Sequence, residues 1–397
     1  MSRSKNPYRP QPGSEPPALI GRDGETATVA AMLRAAHEGG AMRPTVFVGL
    51  RGMGKTALLR RCLGMARDDG AVVLEVEASP DVPLAIGLAD SISDAKRQVS
   101  LSARVQDMFD KLRRAAPSAS IDLPNDMGSI AIDLRKAGEA TSMRHALEDL
   151  NDAVRRRGLY LVIAIDEIQE SDLSDLRELI KVVHAAAGTE EPIVFLGAGL
   201  TNSAQRLHDA RTYTERWRYP RLECLSSAQT AQAIQEPARA QGVEFSEDAL
   251  ELLITETAGY PFFIQEYASV VWLNTDEQAI TRADVERIIP AIRQELDEQF
   301  YAPRFERLTS RETAYAIALA DLGPGPHAVH AIAQTFNLRS SDLSSLRNQL
   351  VKKDVVFASA PGMVEFRMPL SEVYVERNRE RLERRAREGT VSMLRTP

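Results

Sequence analysis

Two short stretches hold residues whose types and spacing suit phosphate chemistry. The first is Gly49-Leu50-Arg51-Gly52-Met53-Gly54-Lys55-Thr56, followed by Ala57. It fits the pattern of a glycine, four free positions, then Gly-Lys-Ser/Thr, placed between an apolar strand-like run and an amphipathic helical stretch. Glycines at these positions let backbone N–H groups turn inward around phosphate oxygens, and the start of a helix adds positive potential. Lys55 is predicted to reach the β- and γ-phosphates, and Thr56 to offer its hydroxyl to Mg2+. The second stretch is the apolar run Leu159 to Ile165 with Asp166 and Glu167 at its end. A buried strand ending in two carboxylates suits magnesium-dependent hydrolysis. Asp166 would hold the metal's water shell, while Glu167 would orient or polarise the attacking water. ATP and Mg2+ are therefore the expected ligands, cradled by Gly49 to Ala57.

Two further features accompany this pair. Leu19-Ile20-Gly21-Arg22-Asp23-Gly24-Glu25 precedes the first helical stretch and reads locally as a turn and a helix start. The run Pro192 to Leu196 leads into Gly197-Ala198-Gly199-Leu200-Thr201-Asn202. Thr201 or Asn202 could sense a γ-phosphate there, or serve as loop and capping residues.

These groups need a scaffold, and the chain alternates strand-like and helical segments from Pro44 onward. Thr45–Val48, Val72–Val76, Leu159–Ile165 and Pro192–Leu196 read as buried strands, with helical periodicity over Thr56–Ala66 and Asp172–Ala186. The pattern predicts an α/β fold with a parallel sheet and helices on both faces. Between helical stretches at Ser102–Ala115 and Met143–Arg157, Ser118–Leu134 alternates about a Pro-Asn-Asp-Met-Gly turn, which predicts a hairpin for contact or packing. After Leu222 the strands are expected to stop, and helical segments over Ala228–Asn274 and Arg282–Gln299 predict a lid. Helices at Ser310–Asp321, Ala328–Phe336 and Ser341–Lys352, then strands Val355–Ser359 and Met363–Met368, follow the order of a winged helix-turn-helix. A charge-dense helix over Glu372–Arg387 closes the series. The expected division is a flexible leader (1–17), a sheet domain (18–222), a lid (223–300), a winged helix (301–370) and a charged tail (371–397).

The length of 397 residues suits two or three domains, and no run approaches the roughly 18 apolar residues that span a bilayer. Met1 to Pro17 lacks the apolar centre of a signal peptide, and two cysteines, Cys62 and Cys224, fit buried or half-buried thiols in a reducing cytoplasm. A cytoplasmic protein without membrane contact is expected. The six histidines are scattered singly, without metal-site spacing.

Taken together, Gly49–Thr56, Asp166-Glu167, the Ile20-Gly21-Arg22-x-x-Glu25 box, the helical lid and the final helix-strand series resemble the AAA+ P-loop ATPases. The resemblance is to the origin-recognition and replication-licensing branch and to related archaeal and bacterial ATPases, over roughly Leu19 to Leu370. It implies that Ile20, Gly21 and Arg22 lie beside the adenine. Where that branch carries a Gly-Asp-x-Arg element in the lid, this chain reads Ala258-Gly259-Tyr260-Pro261-Phe262-Phe263 and lacks the arginine. The Gly-x-Pro form is similar to that of the STAND signalling ATPases, which implies that Pro261 packs close to the nucleotide and that turnover is slow. Arg211, Arg216, Arg218 and Arg221 form either a solvated helix face or, as the resemblance implies, include an arginine finger for a neighbouring subunit in a nucleotide-dependent homo-oligomer.

The net charge of −7 excludes a uniformly basic coat, yet charge is uneven along the chain. Arg304 to Leu370 holds eight basic and six acidic residues, and Ser371 to Pro397 holds seven and five. A locally positive module on an acidic body suits docking to duplex DNA. Ser344, Ser345, Arg347, Asn348 and Lys352 are the groove-facing candidates on the predicted recognition helix. The readings that follow are an ATP-dependent switch acting on DNA, or a STAND-like signalling or defence ATPase that acts through protein partners and self-association.

Overall fold

The computed structural model describes residues 5–11, 13–40, 42–95, 143–187 and 193–394. The helix expected over Ser102–Ala115 and the hairpin expected over Ser118–Leu134 lie outside the described residues. Two compact units are present: residues 21–49 with 54–222, and residues 1–20 with 50–53 and 223–397.

The first unit is built on four parallel strands, β1 (Thr45–Val48), β2 (Val72–Glu77), β3 (Leu161–Asp166) and β4 (Val194–Gly199), in the order β1-β4-β3-β2. Every residue of β1, β3 and β4 is buried, as continuous apolar runs covered on both faces require. Leu74, Ile163, Ile165 and Phe195 form the sheet's share of the core, and Leu147, Leu150, Leu176 and Leu179 pack on them from the helices Met143–Arg155 and Leu173–Ala186. Trp217 joins the same core, its ring centroid 5.1 Å from that of Phe195.

Beyond Trp217 the backbone runs parallel to the outer edge of β1. Val46 N–H donates to the Arg218 carbonyl at 2.8 Å, Val48 N–H to the Pro220 carbonyl at 3.0 Å, and Leu222 N–H to the Val48 carbonyl at 2.8 Å. This corrects the reading of Arg211 to Arg221 as a helix face. Only Thr212–Arg216 turns, as a 3-10 segment, and Arg218 to Leu222 is an extended edge whose Arg218 and Pro220 carbonyls accept from β1 and whose Leu222 N–H donates back to it.

The second unit is mainly helical. Ser227–Arg239, Glu247–Thr257, Pro261–Leu273 and Arg282–Leu296 are the helices of the segment expected as a lid, and capping boxes at Ser226 and Thr281 open the first and last. Strands do not stop at Leu222. Glu244–Phe245 (β5) and Ala279–Ile280 (β6) pair in parallel to tie the ends of two helices. Next come helices Ser310–Ala320, Val329–Thr335 and Ser344–Lys352. They are joined by the strands His327–Ala328 (β7), Val356–Phe357 (β8) and Met363–Phe366 (β9), in the antiparallel order β7-β9-β8. The charge-dense segment is two helices, Ser371–Arg377 and Arg379–Leu394, because Asn378 breaks the first.

A seam of aromatic rings fuses the helices expected as a lid to these later elements. Phe262 stacks on Phe300 at 5.5 Å, Phe300 meets Tyr301 edge-on at 5.0 Å, and Tyr301 stacks on Tyr374 at 4.8 Å. The leader also belongs here. Tyr8 is buried, its hydroxyl donates to the Ile234 carbonyl at 2.6 Å, and its ring meets Trp272 edge-on. Asn6 donates to the Ser269 hydroxyl at 2.9 Å, and Arg9 N–H to Gln265 Oε1 at 3.0 Å. A segment whose composition suggests a flexible leader is docked over these residues. No described helix is long and apolar enough to cross a membrane.

Candidate functional site

The head of the helix Lys55–Asp68 carries the residues expected to bind phosphate. Gly52 and Gly54 have φ of 77° and 81°, a left-handed backbone that is strained for any residue with a Cβ and that curls the loop before the helix begins. Lys55 and Ala57 are buried beneath that curl, and Thr56 is half-buried. Leu50 is half-buried, Arg51 exposed and Met53 buried.

β3 brings the acidic pair to the same place. Thr56 Oγ1 donates to Asp166 Oδ2 at 2.7 Å, so the two residues expected to share Mg2+ are already in contact. Burial pushes the Asp166 carboxyl above the ordinary carboxylate range, against the pull of the Thr56 hydroxyl and the Glu167 N–H. A half-buried hydroxyl, a desolvated carboxylate and a buried ammonium at the start of a helix fit a triphosphate with a hard cation.

Glu167 follows with φ 47° and ψ 39°, a left-handed conformation rare for a residue with a side chain. Its N–H donates to Asp166 Oδ1 at 2.8 Å, and the chain turns at once into the 3-10 segment Ile168–Glu170. That turn returns Gln169 against the acidic pair. Gln169 Nε2 donates to Glu167 Oε2 at 2.5 Å, while Gln169 Oε1 accepts from Leu200 N–H at 2.9 Å and the Ser203 hydroxyl at 3.3 Å. Gln169 was not visible to motif reasoning. The available signal is a lone amide side chain three positions after the aspartate that ends the strand.

Thr201, half-buried, and Asn202, exposed, lie on the turn after β4, which runs three residues beyond the expected end at Leu196. Asn202 precedes the helix Ser203–Ala210 without a side-chain capping bond. Arg22 is buried at the start of the helix Asp23–His37, next to the half-buried Ile20 and Gly21. Of the arginines, Arg216, Arg218 and Arg221 are exposed and Arg211 is half-buried. Cys62 is buried, which pushes its thiol up to about 12, whereas Cys224 is exposed, unlike the buried or half-buried thiol expected.

In the second unit, Pro261 opens the helix Pro261–Leu273, where its missing N–H leaves no partner wanting. Next to it, Phe262 N–H donates to the Gly52 carbonyl at 3.2 Å, and the buried Tyr260 hydroxyl closes over Gly52. Asp354, at φ 62°, receives Arg367 at 2.8 Å and stands 3.9 Å from both Arg304 and Arg51. On the helix Ser344–Lys352, Ser345, Asn348 and Lys352 are exposed, Ser344 and Arg347 are half-buried, and Leu350 faces the core. The helix begins at Ser344, after a 3-10 turn over Ser340–Leu343.

Comparison with known proteins agrees with this geometry. Residues 18–196 match the family model described as AAA ATPase domain, and residues 298–375 match a domain of unknown function (DUF8462). No curated protein matches the sequence. Among solved structures, the Walker-type ATPase of Pyrococcus abyssi is similar at 14% identity and TM-score 0.55, over 90% of this chain and 96% of that one. The Aeropyrum pernix Orc1 protein in complex with DNA is similar at 16% identity and TM-score 0.47, over 95% and 97%. The RuvB Holliday junction branch migration motor of Thermotoga maritima is similar at 15% identity and TM-score 0.47, over 91% and 98%. Residues 18–196 thus carry an AAA ATPase domain on a P-loop fold with a parallel sheet.

Proposed function

We propose that the chain is a slow ATP-hydrolysing switch that couples its nucleotide state to DNA binding by the C-terminal module. The observation that carries the nucleotide half is the contact between Thr56 and Asp166 beside the buried Lys55. Bound Mg2+ would neutralise charge on the β- and γ-phosphate oxygens, and Thr56 and Asp166 are the residues to hold it. The amides of Gly49 to Lys55 and the Lys55 ammonium orient the phosphates. Glu167 accepts a hydrogen bond from the water whose oxygen bonds to the γ-phosphorus as the β–γ bridging bond breaks, leaving ADP and phosphate. Thr201 and Asn202 are the candidates for sensing that phosphate, and Ile20, Gly21, Arg22 and Pro261 for holding the base.

The DNA half rests on the exposed Ser345, Asn348 and Lys352, spaced at three and four positions along one helix face, and on the local positive balance read from the sequence. The series of three helices and an antiparallel sheet supports reading the module as a winged helix. Duplex DNA binding by fluorescence anisotropy across salt, with ADP and with a non-hydrolysable ATP analogue, tests this. Affinity should fall with salt and differ between nucleotides, and Lys352→Ala should lower the salt slope by about 1. Salt-independent or absent binding in every state removes the DNA half. ATP hydrolysis in wild type, with ATP trapped by Glu167→Gln, tests the nucleotide half.

A second reading, nucleotide-driven self-association in a signalling or defence role, draws on Arg218 and Arg221, exposed along the edge beside β1, and on Arg216, exposed at the end of the turn before it. Light scattering of the full chain with and without the ATP analogue separates the two. A monomer in both states counts against self-association.

A further inference from the structure

Gln169 has a chemical role that no motif assigns to it. The residue is buried, with 7% of its surface exposed, and both ends of its amide are engaged. Because Oε1 accepts from a backbone N–H, the orientation of the amide is determined and the NH2 group must face the carboxylates. That group donates to Glu167 at 2.5 Å and to Glu170 Oε1 at 3.2 Å. The amide thus bridges the acidic end of β3 and the turn that follows β4.

The end of β4 is shaped around this bridge. A Cβ on Gly199 would meet the Ser203 hydroxyl first, then Gln169 Oε1 at 2.6 Å and Ile168 Cγ2 at 2.9 Å, so a side chain there would displace both the hydroxyl and the amide it bonds. Glu167, for its part, holds a left-handed backbone that is rare for an L-residue. Its carboxylate is tethered from there by the bond from Gln169.

We propose that Gln169 is a positioning residue for ATP hydrolysis, which fixes the Glu167 carboxylate from the end of β4. Water-orienting carboxylate and phosphate-sensing turn then move as one piece. This rests on the reading that Glu167 orients the attacking water, so the two must fail separately.

The experiment measures kcat, KM for Mg-ATP, fluorescent-nucleotide affinity and Tm for wild type, Glu167→Gln, Gln169→Met, Gln169→Glu and Gly199→Ala, on the full chain. Gln169→Met and Gly199→Ala should each lower kcat by about tenfold to a hundredfold while nucleotide affinity stays within about twofold. Gln169→Glu keeps the acceptor for Leu200 and Ser203 but loses the donor to Glu167, so its kcat should fall at least as far as that of Gln169→Met. Wild-type kcat in Gln169→Met and Gly199→Ala overturns the inference. So does wild-type kcat in Gln169→Glu, since the donor to Glu167 would then be dispensable. Should Gln169→Met fail to fold, Gly199→Ala carries the test with the amide intact. If wild type shows no turnover, or Glu167→Gln equals wild type, the hydrolysis reading itself falls.

Discussion

Thr56 and Asp166 stand 110 positions apart in the chain and share a hydrogen bond of 2.7 Å. That single contact locks the head of the helix Lys55–Asp68 to the end of β3, and it joins the two groups that a bound cation would need together.

Thr56→Ala removes one of those groups and the donor that steadies the other. A hydrogen bond to a charged group contributes about 1.5–3 kcal/mol, so Mg2+-dependent nucleotide affinity should fall by at least about tenfold. Titration of a fluorescent ATP analogue with Mg2+ and with EDTA measures it. Equal tightening by Mg2+ in variant and wild type would contradict the assignment.

Asp166 makes the stability of the unliganded protein depend on pH in a defined direction. Burial raises its folded-state pKa above the unfolded value, so the folded form holds the proton more tightly. Stability from this group is therefore full below the ordinary carboxylate range and is lost as pH rises through the raised value. Asp166→Asn should raise Tm at neutral pH and flatten this part of the profile. Calorimetry of both proteins without nucleotide, from acid to neutral pH, checks the sign.

Glu312 acts in the opposite sense. Burial raises its pKa, but the hydrogen bonds from Lys353 at 2.6 Å and from Thr309 outweigh that and hold the carboxyl below its usual range. Its contribution is present above the unfolded pKa and disappears as pH falls through the lowered folded value. Glu312→Gln should cost about 1–3 kcal/mol at neutral pH and progressively less in acid. Urea midpoints at neutral and acid pH will show whether the gap closes.

The Tyr260 hydroxyl is buried with no hydrogen-bond partner among the described residues. An unsatisfied buried polar group costs about 1–3 kcal/mol, so Tyr260→Phe should raise Tm of the unliganded protein. A lower Tm would mean that the hydroxyl has a partner in solution.

The sheet was legible because strands covered on both faces read as unbroken apolar runs, as in Leu161–Asp166. Its margins were not. Gly197-Ala198-Gly199 has no strand propensity, and its pairing with Val46, Phe47 and Val48 is a tertiary decision. Arg218 to Leu222 is extended because β1 offers it partners, which local periodicity cannot express. The docking of Tyr8 is likewise invisible, since Ile234 and Trp272 lie far along the chain. At the site, Gly49–Thr56 and Asp166-Glu167 follow from spacing alone. Gln169 does not, because its importance depends on where Leu200 and Ser203 arrive.

The ring-to-ring seam of Phe262, Phe300, Tyr301 and Tyr374 has a consequence for anyone who would dissect this protein. The apparent joint near residue 300, obvious from the change of pattern in the sequence, is the wrong place to cut. A fragment ending there would present Phe300 and Phe262 to water, and one starting there would bare Tyr301 and Tyr374, both inviting aggregation. Residues from Glu223 onward form one compact unit, and the leader with Tyr8 belongs to it.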